Sequence, residues 1–503
     1  MYFYKRSFKK GLAFALSAVL LAAVIIGCTS APAPTPTPEP AAATAAAATA
    51  TPAPAATATP APTVAPADTR EKGYVKDMGG REIRLMCWWK KQMATDDPMP
   101  DPGVESDTAF MNYAADIVIW DLLQQIEMEY NCKIVSPVIS WGDVMPTLTA
   151  SIMSGDPVCD MMWLGPSWAF SCIKNDLIYP LQDVCAPDSD VLNAQKFTAV
   201  CSEYNGLYYT MRDQKPRIPN FCLGVNLDII NAIGAENPID LFDKGMWTFD
   251  KFREILQLAT RDTSGDGTID QWGICGHPQW IIEPLIASND GVLINDDMTY
   301  GLDDPRTMTA LELVYQIYTV DKTFYYDESF GYDFGEWDPT ANAFLDAKTA
   351  FWAFPFYQIE DFQPDCAYAA IPFPKGPDNK GGFVSFSGFK EGYCVPRGTI
   401  DPEDVTMIYD RMNKWCEADM DLRDGAIFEW EINCFQSEED YWRLYNGMNP
   451  LKPDMGTVID GYTNIYGNLS RVFHFGEMTP AQAVETYKQE YQNIIDEIMN
   501  AGD

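Results

Sequence analysis

Asp262, Ser264, Asp266, Thr268 and Asp270 alternate along one short stretch, with Gly265 and Gly267 between them. Oxygen-bearing side chains at every second position match positions one, three, five, seven and nine of a calcium loop. Gly267 stands where such a loop makes its sharp turn. Gly273 departs from that pattern, because the twelfth position calls for a carboxylate that binds through both oxygens. Two readings follow. One is a structural calcium ion held by an incomplete loop; the other is an Asx-rich turn that hydrogen-bonds itself. Catalytic chemistry has less support. His277 and His474 are the only histidines in the chain, which excludes a histidine-rich metal centre. There is no HExxH, no GxSxG and no P-loop motif. Paired carboxylates for glycoside cleavage stay open among 72 acidic residues, but no Asp or Glu stands out by context.

The aromatic residues offer a different chemistry. A sugar is held by aromatic faces against its C–H face and by Asp, Glu, Asn, Gln or Arg on its hydroxyls. The elements that would position such rings can be read from periodicity. Ile83, Leu85, Cys87 and Trp89 form a first strand after Gly79-Gly80. Ala114 to Tyr130 is a helix, Lys133 to Ile139 a second strand, and Val144, Leu148 and Ile152 share one face of the next helix. Val158 to Leu164 is a third strand. Strands alternating with helices predict an α/β fold with a mainly parallel sheet, and ligands bind such sheets at the carboxyl ends of the strands. Trp88 and Trp89 end the first strand, Trp141 follows the second, and Gly165-Pro166-Ser167-Trp168 follows the third. Of the first pair, Trp89 is taken as the site residue.

The acidic stretch continues a helix. Thr248 suits its N-cap, and Phe249, Phe252, Ile255, Leu256 and Ala259 recur at helical spacing. Asp304-Pro305 and Asp401-Pro402 start two further helices, and Thr479-Pro480-Ala481-Gln482 is a capping box opening the last. Taken whole, Trp247–Gly273 resembles the signature of family 1 extracellular solute-binding proteins, the maltose-binding-like group that serves ABC importers. Asn226–Pro238 (NLDIINAIGAENP), Ala343–Phe356 (AFLDAKTAFWAFPF) and Tyr368–Pro377 (YAAIPFPKGP) are similar to further segments of that family, in the same order. The resemblance runs from about Asp77 to the end of the chain.

The resemblance implies a two-lobed, type II periplasmic-binding-protein-like fold, each lobe a mixed, mainly parallel sheet flanked by helices. Residues 77–211 would form the first part of lobe 1 and 212–387 the first part of lobe 2. Residues 388–445 would return to lobe 1 and 446–503 to lobe 2. Ser167 and Trp168 fall in a segment similar to the family's ligand-contacting loop. Lobe 2 would add Trp280, Asn289, Phe356 and Tyr357, and Trp430 would reach the cleft after the second crossover. Arg212, beside the first crossover, would bind a ligand hydroxyl or pair with a surface carboxylate. For every aromatic residue a plain core role stands beside the site role. A monomeric binder rather than an enzyme is expected, with a sugar as ligand and no required cofactor. Permease and ATPase subunits would be separate chains. A surface glycan-binding protein without a transporter and a secreted glycoside hydrolase are the alternatives.

Composition agrees with an exported protein. At 503 residues the chain suggests about two domains. Lys5, Arg6, Lys9 and Lys10 precede the apolar run 12–26, and Gly27-Cys28 resembles a lipoprotein box. Residues 1–27 read as a signal peptide and Cys28 as the lipidated residue; the run is short for a transmembrane span. Residues 28–76 form an Ala/Pro/Thr-rich linker; its stretch 29–67 has too few large apolar side chains to fold and makes an extended tether of at most ~120 Å. Loss of the leader leaves 31 basic residues against 72 acidic ones, which argues against nucleic acid or anionic lipid as partner. Twelve further cysteines show no CxxC pair; export permits disulfides, while their apolar neighbours favour buried thiols.

Overall fold

The computed structural model describes residues 74–88, 94–96, 99, 114–193, 198–204, 206–213, 221–295, 297–326, 340–356, 364, 366–387, 391–433, 435–453 and 464–499. The leader, the linker as far as residue 73 and Cys28 lie outside them. Among these described residues, twelve strands fall into two sheets and a ribbon. In chain order they are β1 (Arg81–Met86), β2 (Cys132–Val135), β3 (Met161–Leu164), β4 (Thr198–Tyr204), β5 (Leu207–Asp213), β6 (Phe221–Asn226), β7 (Trp272–Gly276), β8 (Thr349–Pro355), β9 (Tyr368–Ile371), β10 (Phe383–Ser387), β11 (Gly392–Cys394) and β12 (Met448–Pro453).

The first sheet has the order β2-β1-β3-β11-β5-β4. β1 pairs in parallel with β2 and β3, while β11, returning from far along the chain, lies antiparallel to β3 and β5. Period-two alternation sorts its side chains onto two cores. Leu85, Met161 and Tyr393 join the helices Ala114–Tyr130 and Pro402–Met412 on one face. Met86, Met162 and Cys394 join the helix Val144–Met153 on the other.

The second sheet has the order β7-β8-β6-β9. β8 is buried at every residue, as a strand covered on both faces must be. Phe351 and Ala353 face one core; Trp352 and Phe354 face the other. The larger core takes in Trp247 and the helices Phe249–Ala259, Pro278–Ser288, Asn464–His474 and Pro480–Met499. Trp247 is fully buried, and its indole N–H donates to the Pro372 carbonyl at 2.9 Å. The five apolar residues of 249–259 are all buried, as their spacing predicts. The capping box at Thr479 forms in both directions, at 2.9 and 3.4 Å.

The strands β10 and β12 pair in parallel as a separate ribbon. The chain leaves the first sheet after β5, re-enters it at β11 and leaves it again through the helix Met420–Asn433. The next helix, Glu438–Gly447, begins in residues 388–445, the segment expected to return to lobe 1. It packs on the second sheet instead, burying Tyr441 and Leu444 with Trp352, Phe354 and Tyr368. Its apolar face is completed by aromatic residues remote in sequence, which local periodicity does not reveal. Ten described cysteines are free thiols, nine of them buried. Burial pushes Cys132 and Cys185 up to about 11 and Cys172 to about 12, so these thiols stay protonated and unreactive.

Candidate functional site

Parallel pairing of β1, β2 and β3 puts their carboxyl ends on one edge, and a tryptophan follows each. Trp88 comes two residues after β1, Trp141 opens a short 3-10 turn after β2, and Trp168 lies in the first turn of the helix Pro166–Lys174, which begins directly after β3. The three rings meet. Trp88 and Trp141 are edge to face at 4.5 Å between centroids, Trp141 and Trp168 lie at 4.2 Å, and Trp88 and Trp168 at 6.4 Å. Trp88 and Trp168 rest on the core under the helix Val144–Met153, while Trp141 is 42% exposed. The result is a rigid aromatic wall with one ring turned to solvent. Ser167 is half-buried next to it in the chain and can offer a hydroxyl.

Of the pair Trp88-Trp89, the sequence pattern points to Trp89 as the site residue. Trp89 lies outside the described residues, and it is Trp88 that joins the cluster. Alternation carried the signal, since Met86 faces the same core as Trp88 two positions on.

The candidates in the second body behave differently. Trp280 is 9% exposed, stacked on Phe221 at 6.4 Å and set against His277 at 5.1 Å. It holds the end of β7 to the start of β6. His277 caps the helix Pro278–Ser288, its Nδ1 accepting the Gln279 N–H at 3.2 Å, and burial pushes its imidazole down to about 4. Phe356 is buried and stacked on Phe435. Asn289 is fully buried, and its amide is used inside the body. Its Nδ2 donates to the Arg306 carbonyl and to Asp378, and its Oδ1 accepts the Asp378 N–H at 2.9 Å. With both ends of the amide occupied, Asn289 acts as a clamp inside the body. Arg212 lies in β5 opposite Ala199, and Trp430 in the helix Met420–Asn433; their side chains, and all of Tyr357, lie outside the described residues.

Residues 104–401 match the family model of the bacterial extracellular solute-binding proteins, more than half of the chain. The chain belongs to that family. No curated protein matches it. Among solved structures, this solute-binding protein is similar to the maltose/maltodextrin-binding domain MalE of Bdellovibrio bacteriovorus bound to maltotriose. Identity is 14% and the TM-score 0.54, over 83% of this chain and 99% of that one. It is similar to the GacH receptor of Streptomyces glaucescens, whose structures include an acarbose complex, at 15% identity and TM-score 0.54, over 83% and 99%. UgpB of Mycobacterium tuberculosis, in complex with glycerophosphocholine, matches at 12% identity and TM-score 0.53, over 76% and 96%. At these identities the likeness is one of fold: the two-lobed type II architecture, with the first sheet in lobe 1 and the second in lobe 2.

The acidic loop of this solute-binding protein directs its carboxylates inward. Asp262 accepts N–H bonds from Gly265 and Gly267, both at 2.6 Å, and Asp270 accepts from Thr263 and Ser264. The Gly267 N–H holds the Asp262 carboxyl below the usual range, and the Thr263 N–H does the same for Asp270. Among the described residues no group of three or more His, Cys, Asp or Glu is placed to hold a metal ion. The missing twelfth ligand has a steric cause. A Cβ on Gly273 would lie 2.9 Å from Leu256 Cα, so the close approach of helix 249–259 to β7 leaves room for glycine alone. In this arrangement the carboxylates of Asp262 and Asp270 are held by the loop's own N–H groups.

Proposed function

We propose that this chain is the substrate-binding lipoprotein of an ABC importer, that its ligand is a mono- or oligosaccharide, and that it performs no reaction on it. The observation that carries the reading is the cluster of Trp88, Trp141 and Trp168 at the carboxyl ends of three neighbouring strand positions. Trp141 offers its open ring to the C–H face of a sugar, and Trp88 and Trp168 fix that ring so that little side-chain entropy is lost on contact. Sugar complexes among the structural neighbours support the class. The ligand would be held between the lobes and would favour the closed form by its higher affinity for it. Cys28 would carry the lipid, the 28–76 linker would let a monomer work at the outer face of the membrane, and separate permease and ATPase chains would complete transport. The reading needs no cofactor.

A thermal-shift screen tests it, using maltotriose, mannotriose and common monosaccharides beside glycerophosphocholine. A saturable rise in melting temperature with a sugar, lost in Trp141→Ala, is the expected result. A response to glycerophosphocholine alone would overturn the carbohydrate assignment. Release of shorter sugars from a bound oligosaccharide would overturn the binding-only reading.

A further inference from the structure

The helix Pro166–Lys174 has two attachments. Its first turn carries Trp168 of the aromatic wall. Its second half reaches the other lobe: Phe170 packs against the larger core of lobe 2, and Lys174 Nζ lies 3.4 Å from Glu497 Oε2. Glu497 belongs to the last helix, whose Ile495 is buried in that same core. Phe170 and Lys174 are four residues apart and share one helix face, while Trp168 lies roughly 200° round from Phe170. One short helix thus presents a ring to the site on one side and touches lobe 2 on the other.

We propose that this helix is an inter-lobe strap, which biases the lobes toward the arrangement in which helices 166–174 and 480–499 touch. The contacts are between protein groups alone, so they act whether or not the cleft is filled. They add to any closure that a ligand drives, and they set where the lobe equilibrium stands beforehand. Phe170 supplies the larger share through its apolar contact. Lys174 and Glu497 are 42% and 71% exposed, so their pair contributes little by itself and serves to set which helices meet.

The test needs no ligand, so its failure is separable from failure of the carbohydrate assignment. Spin labels are placed on the full chain at Met153→Cys in lobe 1 and Leu258→Cys in lobe 2, positions 77% and 46% exposed. Their distance distribution is then measured by pulsed electron resonance. Phe170→Ala is expected to shift the ratio of the two distance populations by about tenfold, away from the one in which helices 166–174 and 480–499 touch. Lys174→Glu is expected to shift it about two- to fivefold, and the double exchange Lys174→Glu with Glu497→Lys to restore it. Melting curves check that each variant is folded. An unchanged distribution in both Phe170→Ala and Lys174→Glu overturns the strap. A shift in Lys174→Glu that the double exchange does not reverse overturns the pairing with Glu497.

Discussion

The indole of Trp141 lies 4.2 Å, centroid to centroid, from that of Trp168, although the two reach this point from the ends of different strands. Their burial differs: Trp168 is seated on the core beneath it, and Trp141 is the exposed member. Trp141→Ala should therefore weaken sugar binding by about 1–3 kcal/mol while leaving the unfolding midpoint almost unchanged. Trp168→Ala should cost binding by a similar amount and stability as well, since its ring packs against the core beneath the helix Val144–Met153. Calorimetric titration with the best sugar of the screen, beside urea unfolding, separates the two. Equal affinity in both variants and wild type would place the ligand elsewhere.

His277 makes the stability of lobe 2 depend on pH. Its neutral Nδ1 caps a helix, and burial lowers its folded value to about 4 from an ordinary 6.5. The unfolded chain takes up the proton first as pH falls. The contribution is thus fully present above about pH 6.5 and is lost as pH drops toward the folded value. Between pH 7 and pH 4.5 this residue should account for about 2 kcal/mol of lost stability. His277→Asn keeps a capping acceptor that does not titrate here and should flatten that part of the curve. Urea midpoints at the two pH values, compared between variant and wild type, give the answer; parallel curves would show that His277 is not the cause.

How much of this could be read from the chain follows from the range of the forces involved. Trp141 and Trp168 were legible because parallel strands bring their carboxyl ends to one edge whatever the packing. The 249–259 helix was legible because its cap and its apolar face are local. The clamp made by Asn289 was not, because its partners Arg306 and Asp378 lie on other segments. The packing of helix 438–447, which crosses the expected boundary at 445, was not legible either, because its partners, among them Trp352 and Phe354, lie far back in the chain. Choosing between Trp88 and Trp89 required knowing which face of β1 meets helix 144–153.

The Asn289 clamp gives a stability prediction that a ligand contact would not. Asn289→Ala strips the Asp378 N–H and the Arg306 carbonyl of a partner next to Gly376, which lies so close that a Cβ there would fall 2.1 Å from Asn289 Oδ1. Loss of about 2–3 kcal/mol in urea unfolding is expected. Sugar affinity of the fraction that remains folded should stay within about twofold, less than ~0.5 kcal/mol. A stable variant with weakened binding would return Asn289 to the site.

Gly273 decides what the acidic loop is. In an ion-binding loop, supplying the twelfth carboxylate should raise calcium affinity. Here a side chain at 273 must displace the backbone of helix 249–259 at Leu256, because a Cβ would sit 2.9 Å from its Cα. Gly273→Glu should therefore lower the melting temperature and create no calcium response, with Gly273→Ala already costing about 1–3 kcal/mol through overpacking. The parent protein, treated with chelator, should show neither heat nor a melting shift on calcium addition, since Asp262 and Asp270 are held by the loop's own N–H groups. Those carboxyls sit below their ordinary range, so their support is present at neutral pH and is lost as pH falls through their lowered folded values. Asp262→Asn with Asp270→Asn should accordingly destabilise the protein at pH 7, by a margin that narrows on acidification through the carboxylate range. A calcium-dependent rise in melting temperature, abolished by the same double substitution, would establish the loop as an ion site.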